Sequence, residues 1–98
     1  MSLRAVFRPE AVADIARAHA WYQAQRHGLG EEFEQAIHRT LSLLNQMPEA
    51  GPLVLATLRR AIVHRFPYAI YYRVTENEIE VRALLHLKQH PRTWQRRA

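Results

Sequence analysis

Residues 59–74 read Arg59-Arg60-Ala61-Ile62-Val63-His64-Arg65-Phe66-Pro67-Tyr68-Ala69-Ile70-Tyr71-Tyr72-Arg73-Val74. From Tyr68 to Thr75 the pattern has a period of two. Tyr68, Ile70, Tyr72 and Val74 share one face, and Ala69, Tyr71 and Arg73 share the other, as a half-buried strand requires. Pro67 cannot donate to a ladder, so it belongs at a strand start or a bulge. Arg59 to Arg65 is then a second strand on its N-terminal side. Glu76-Asn77 supplies a tight turn, Asn being suited to a positive φ. Ile79 to Leu85 is a last strand, which unbroken alternation divides into Ile79, Val81, Ala83 and Leu85 on the core side and Glu80, Arg82, Leu84 and His86 on the other.

Upstream the period changes to that of helices. Pro48-Glu49-Ala50-Gly51-Pro52 is dense in turn formers and marks the change. Before it, Phe33, Ile37, Leu41 and Leu44 descend one face of a helix that opens on Glu31, Glu32 and Glu34, acids at the positive end of the dipole, and runs to Met47. An earlier helix runs from Glu10 to about Gln25 with Pro9 in its first turn and with Glu10 and Asp14 near the positive end of its dipole. Val12, Ile15, His19 and Tyr22 recur along it as a buried stripe. Trp21 and Leu43 lie off these stripes and either widen the core face, the expected outcome for each, or form a small exposed patch. Arg26-His27-Gly28-Leu29-Gly30 breaks the two helices, and Leu3 to Phe7 reads as a first strand. The expected fold is α+β: an N-terminal strand, an antiparallel helical hairpin, a three-stranded antiparallel sheet, and a short helical turn after Pro91. The sheet face bearing Arg73, Arg82 and His86 is expected to be open.

With 98 residues and no cysteine, the chain is expected to form one domain, 1–98, held by packing rather than by disulfides or a thiolate metal site. Met1–Ala11 has no apolar leader-like stretch and no run approaches a membrane span, so no membrane partner is expected and the compartment is read as cytoplasmic. Net charge is +5, unevenly spread. Residues 1–49 carry five Arg against six acids, whereas residues 50–98 carry eight Arg and one Lys against three acids. Arginine prevails, and its planar fork pairs with carboxylate or phosphate, which points to an anionic partner.

Several chemistries find no support. No cluster of Asp, Glu and His at ligand spacing falls within one element, and no metal or other cofactor is expected. Gly28-Leu29-Gly30 matches no phosphate loop. Ser2 and Ser42 are the only serines, one terminal and one within a helix. Arg59, Arg60, Arg65, Arg73, Arg82, His86, Lys88, His90 and Arg92 remain, interleaved with Tyr71, Tyr72 and Trp94. Metal-free RNA cleavage needs a base, cations for the phosphorane, and an acid for the leaving oxygen. His86, Arg82 and Lys88 or His90 are residues of the right type. A histidine that closes a strand by bonding backbone is the plainer alternative for His86.

The order of these segments resembles the ParE/RelE superfamily of bacterial toxins, and its ParE branch most. The resemblance rests on residues 59–74 above, on Val81-Arg82-Ala83-Leu84-Leu85-His86 and on Pro91-Arg92-Thr93-Trp94, with Ala20-Trp21-Tyr22-Gln23-Ala24-Gln25 and Met47-Pro48-Glu49-Ala50-Gly51-Pro52 also similar. It implies the toxin of a type II toxin–antitoxin module of the plasmid-stabilization kind, held inactive by a cognate antitoxin with an extended, partly acidic tail. A homodimer, or a heterotetramer with the antitoxin, is compatible with it. ParE-like members bind and poison DNA gyrase; RelE-like members are metal-independent endoribonucleases that cut mRNA on the ribosome. The second activity leans on basic sheet residues, here Arg82, His86 and Lys88, and on a Tyr or His near the C-terminus. Trp94 stands where that Tyr is expected, and its indole N–H is too weak an acid to give a proton to a leaving group, which favours binding over cleavage. The partner-binding residues implied are Arg59, Arg60, Arg65, Arg73, Arg92 and Trp94.

Overall fold

A computed structural model describes residues 3–98; Ser2 lies outside the described residues. The order is β1 (Arg4–Phe7), α1 (Pro9–Gln25), α2 (Leu29–Gln46), β2 (Leu53–Leu55), β3 (Leu58–Ile62), β4 (Tyr68–Val74), β5 (Glu78–His86) and α3 (Pro91–Gln95). The α+β order, the hairpin and the final helical turn agree with the sequence reading. The sheet does not: it has five strands, in the order β1-β5-β4-β3-β2, and is mixed rather than three-stranded and antiparallel. Two features account for this. Leu53–Leu55 forms a three-residue edge strand too short to show a period, and β1 joins β5 in parallel, Arg4 opposite Glu78 through Phe7 opposite Val81. β3 also ends at Ile62, because Arg65 turns the chain with φ 74°. The positive φ values of non-glycine residues fall at Arg65 and Ala56, not at Asn77.

The helical hairpin covers one face of the sheet. Phe33, Ile37, Leu41 and Leu44 of α2 are buried as their spacing requires. On α1 the buried line is Ala11, Asp14, Ala18 and Tyr22, while Val12 is exposed and His19 half-buried. The helix is rotated from the expected stripe because two alanines let its backbone lie close to β5, and because Asp14 has work to do there. Trp21 and Leu43 do not widen the core; they are 57% and 61% exposed. Gly30 allows α1 and α2 to approach, since a Cβ there would meet His19 and Gln23 at 2.8 Å.

A bulge in β5 changes which residues face the helices. Tyr71 pairs with Ala83 and Tyr72 with Val81, so Arg82 is an extra residue opposite the ladder. Before it, Ile79 and Val81 face the helices. After it the phase reverses: Leu84 joins the helix-side core, whereas Ala83 and Leu85 join Leu58, Ala69 and Tyr71 in a second cluster on the far face. That face is not open as expected. Trp94 and Val54 pack on it, and the Trp94 indole stacks on Tyr71 at 5.6 Å and 15°.

The turn before β2 is fixed from below. The fully buried Tyr72 hydroxyl donates to the Pro48 carbonyl at 2.8 Å and accepts the Gly51 N–H at 3.1 Å. Gly51 has no room for a side chain, because a Cβ would lie 2.6 Å from the Arg60 carbonyl oxygen.

Candidate functional site

The basic residues of the second half separate into those spent on the fold and those left for a partner. Arg59 is spent: its Nη1 donates to the carbonyls of Gly51 at 2.8 Å and Glu49 at 3.2 Å, clamping the turn. Arg82 is spent too. Its Nη1 meets Glu80 at 2.8 Å and its Nε donates to the Arg97 carbonyl. Arg97 in turn reaches Asp14 with both terminal nitrogens, at 2.7 and 3.2 Å. Asp14 is 3% exposed, and also accepts the Leu84 N–H at 3.0 Å and Arg17 at 2.6 Å. The carboxylate holds the Arg97 guanidinium above its already high ordinary pKa. One buried acid thus ties α1, the bulge and the C-terminal segment together, since a bulge leaves ladder groups that need other partners.

Arg73 leans on Glu80 at 3.4 Å from an exposed position. Arg65 meets Glu32 at 3.1 Å and lies over the Phe66 ring. Glu32 is shared with Arg26, and hydrogen bonds from Arg26 and then Arg65 hold its carboxyl below the usual carboxylate range. Arg60, Lys88 and Arg92 have no side-chain ion-pair partner among the described residues.

The residues of the nuclease reading are not brought together. Arg82 sits on the far face beside Glu80, while the bulge turns His86 to the helix side, where its ring meets Tyr68 edge-on at 5.2 Å. His86 Nδ1 accepts the Lys88 N–H at 3.0 Å, and Lys88 itself is exposed. His90 caps α3 by accepting the Arg92 N–H at 3.1 Å, and so fills a backbone role. Among the described residues no cluster of His, Asp and Glu could hold a metal ion.

Two surfaces were not legible from spacing. The first is a groove between α2 and the end of β3, with Leu43, Ile62 and Val63 as an apolar floor and Arg39, His64 and Arg65 around it. β2 pairs only with Leu58 and Arg59, so beyond the Pro52 carbonyl that takes the Arg60 N–H the outer edge of β3 has no strand beside it among the described residues. The second is a cleft between α1 and the β5–α3 connection, with His86, Trp21, Tyr68 and Arg17 in its walls. The off-stripe positions of Leu43 and Trp21 were the signal for both. Burial raises the Tyr22 and Tyr68 phenols above their ordinary value, with the neighbouring phenol adding to the effect at Tyr22.

Residues 5–91 match the family model described as ParE toxin of type II toxin-antitoxin system, parDE. Among solved structures the chain is similar to one titled "Chromosomal ParDE TA system from P. aeruginosa", with a TM-score of 0.75 and 19% identity over 87% of this chain and 96% of that chain. At that identity the likeness is one of fold. No curated protein matches the sequence.

Proposed function

Because the chain belongs to the ParE toxin family of type II toxin–antitoxin systems, we propose that it is a toxin that inhibits DNA gyrase by binding and is neutralised by a cognate antitoxin. The observation that carries binding over catalysis is the commitment of Arg82. A guanidinium whose charge is paired with Glu80 and whose Nε is given to the Arg97 carbonyl, on the sheet face opposite His86, is not placed to stabilise a phosphorane beside that imidazole. The alternative is a RelE-type, ribosome-dependent mRNA endonuclease using Arg82, His86 and Lys88. It requires the C-terminal segment to leave the bulge. The compartment that supplies either target is the cytoplasm, and among the described residues no helix is long and apolar enough to cross a membrane.

Expression of the chain alone is expected to arrest growth and induce the DNA-damage response, and the purified chain to block gyrase supercoiling at micromolar concentration. Unchanged supercoiling together with new mRNA 5′ ends on translating ribosomes would replace this reading with the nuclease one.

The antitoxin surface we infer is the groove along α2 and the free edge of β3. Its apolar floor and basic rim suit an acidic, amphipathic segment, and an unpaired strand edge offers main-chain bonds. Arg60 and Arg65 are the carboxylate partners, Arg73 and Arg92 lie further out, and Arg59 and Trp94 act by holding the fold. Arg60→Glu with Arg65→Glu is expected to weaken the toxin–antitoxin complex roughly a hundredfold, through a loss of about 1–2 kcal/mol per reversed pair, and to flatten its salt dependence. Titration calorimetry at low and high salt measures both. Equal affinity of the unmodified chain at the two salt concentrations contradicts the assignment. Whether the module assembles as a dimer of toxin or as a heterotetramer is read from the mass of the same complex in solution.

A further inference from the structure

The cleft between α1 and the β5–α3 connection encloses about 670 Å³, within the usual range for small-molecule sites. Its walls differ in character. On one side stands Trp21, 57% exposed and set perpendicular to the Tyr22 ring with centroids 5.0 Å apart, so that much of the indole surface is open to a ligand. Opposite, His86 gives its Nδ1 to the Lys88 N–H, which leaves Nε2 as the ring nitrogen free for a ligand. Arg17 reaches over the rim with its side chain 69% exposed and spends one terminal nitrogen on Asp14. The Asp14 carboxylate beneath is covered, its side chain 1% exposed, and Arg97 offsets its charge. With Asp14, Arg17 and Arg97 counted together, the cleft is positive by one. Gln89 donates through Nε2 to Thr93 Oγ1 at 3.3 Å, which leaves its amide oxygen for the edge of a planar ring.

An exposed indole, a cationic fork and an imidazole donor in one concave site suit a planar ring joined to an anion. We propose that this cleft binds a nucleoside monophosphate, free or at the end of a nucleic acid strand, with its base stacked on Trp21 and its phosphate between Arg17 and His86. Base–aromatic stacking is tolerant of the base, so phosphate and stacking together set the class rather than the identity of the nucleotide. An acidic peptide is the less fitting occupant, because the cleft carries a single net charge and the β5 backbone beside it is already engaged, the Leu84 N–H by Asp14 and the Arg82 carbonyl by Arg97. The inference does not rest on the toxin reading. It concerns a different face from the antitoxin groove and is tested without gyrase, ribosome or antitoxin.

The test is a titration of the full chain with AMP, with adenosine and inorganic phosphate as separate arms, followed by Trp21 emission in a Trp94→Phe background. The phosphorus resonance of AMP is followed in parallel with the unmodified chain, so that any harm done by Trp94→Phe leaves a readout. Saturable binding with a Kd of about 1 mM or tighter is expected. Adenosine or phosphate alone should bind at least about tenfold more weakly, and Trp21→Ala and Arg17→Gln should each cost about tenfold while the chain stays folded at the titration temperature. If a 5′-phosphorylated dinucleotide binds more tightly than AMP, and both substitutions weaken it, the source is a strand end. Absence of saturation at 10-fold above that concentration, indifference to both substitutions, or equal response to phosphate alone overturns the proposal.

Discussion

Asp14→Ala is expected to destabilise the protein by about 3–5 kcal/mol, the usual cost of removing one partner of a buried, hydrogen-bonded charge pair. The substitution strands three groups at once. The Leu84 N–H, at the bulge, loses its acceptor; the Arg97 guanidinium, 21% exposed, keeps its charge in a half-buried place; and Arg82 is left holding a segment whose hydrogen bonds to α1, among the described residues, all run through Asp14. Urea unfolding followed by circular dichroism measures the loss. Exchange of the Leu84 amide and emission of Trp94 should both report release of the C-terminal segment before global unfolding. Arg17→Ala removes another bond to the same carboxylate, yet its side chain is 69% exposed, and the expected cost is below about 1 kcal/mol. A loss of under 1 kcal/mol for Asp14→Ala would mean that the clamp contributes nothing the bulge needs.

Phe33→Ala should cost about 3–5 kcal/mol, as large aromatic truncations in cores do. The ring is completely buried and lies 5.0 Å from Tyr22, 5.1 Å from Phe66 and 5.2 Å from Tyr68, the last two edge-on. Those partners come from α1, from the β3–β4 turn and from β4, so one truncation loosens the hairpin from the sheet at several points. Neighbours this stiff cannot collapse into the space. The same measurement on Leu43→Ala, at a position 61% exposed, is expected to stay within about 0.5 kcal/mol. Comparable losses at both positions would refute the assignment of the core.

Which parts of this architecture could be read in advance follows from the range over which each signal acts. β4 declares itself because its two faces alternate without interruption from Tyr68 to Val74, and α2 because Phe33, Ile37, Leu41 and Leu44 keep helical spacing. The parallel union of β1 with β5 leaves no local trace, since the partners are 74 residues apart. The bulge at Arg82 is likewise silent, and its consequence reaches the candidate site: Arg82 and His86 share a face only if the alternation runs unbroken. Asp14 was legible as an acid near a helix N-terminus, where the dipole gave it a sufficient explanation, and that explanation hid its burial. The basic character of the second half was correctly read from composition. Its division into clamps, such as Arg59 and Arg82, and free cations, such as Arg60, depends on carbonyl positions that only the folded backbone supplies.

The placement of β1 beside β5 also governs when the protein can finish folding. Arg4 must wait for Glu78, and Asp14 for Arg97, separations of 74 and 83 residues. The entropy of closing such loops has to be met before the contacts reward it, which places the rate-limiting step late and makes folding slow beside that of a helical bundle of equal length. On the ribosome the hairpin of α1 and α2 emerges first and must persist without the strand that completes its sheet. During that interval the chain exposes the edges and apolar surface that chaperones, or an antitoxin already present, would meet before any mature toxin exists.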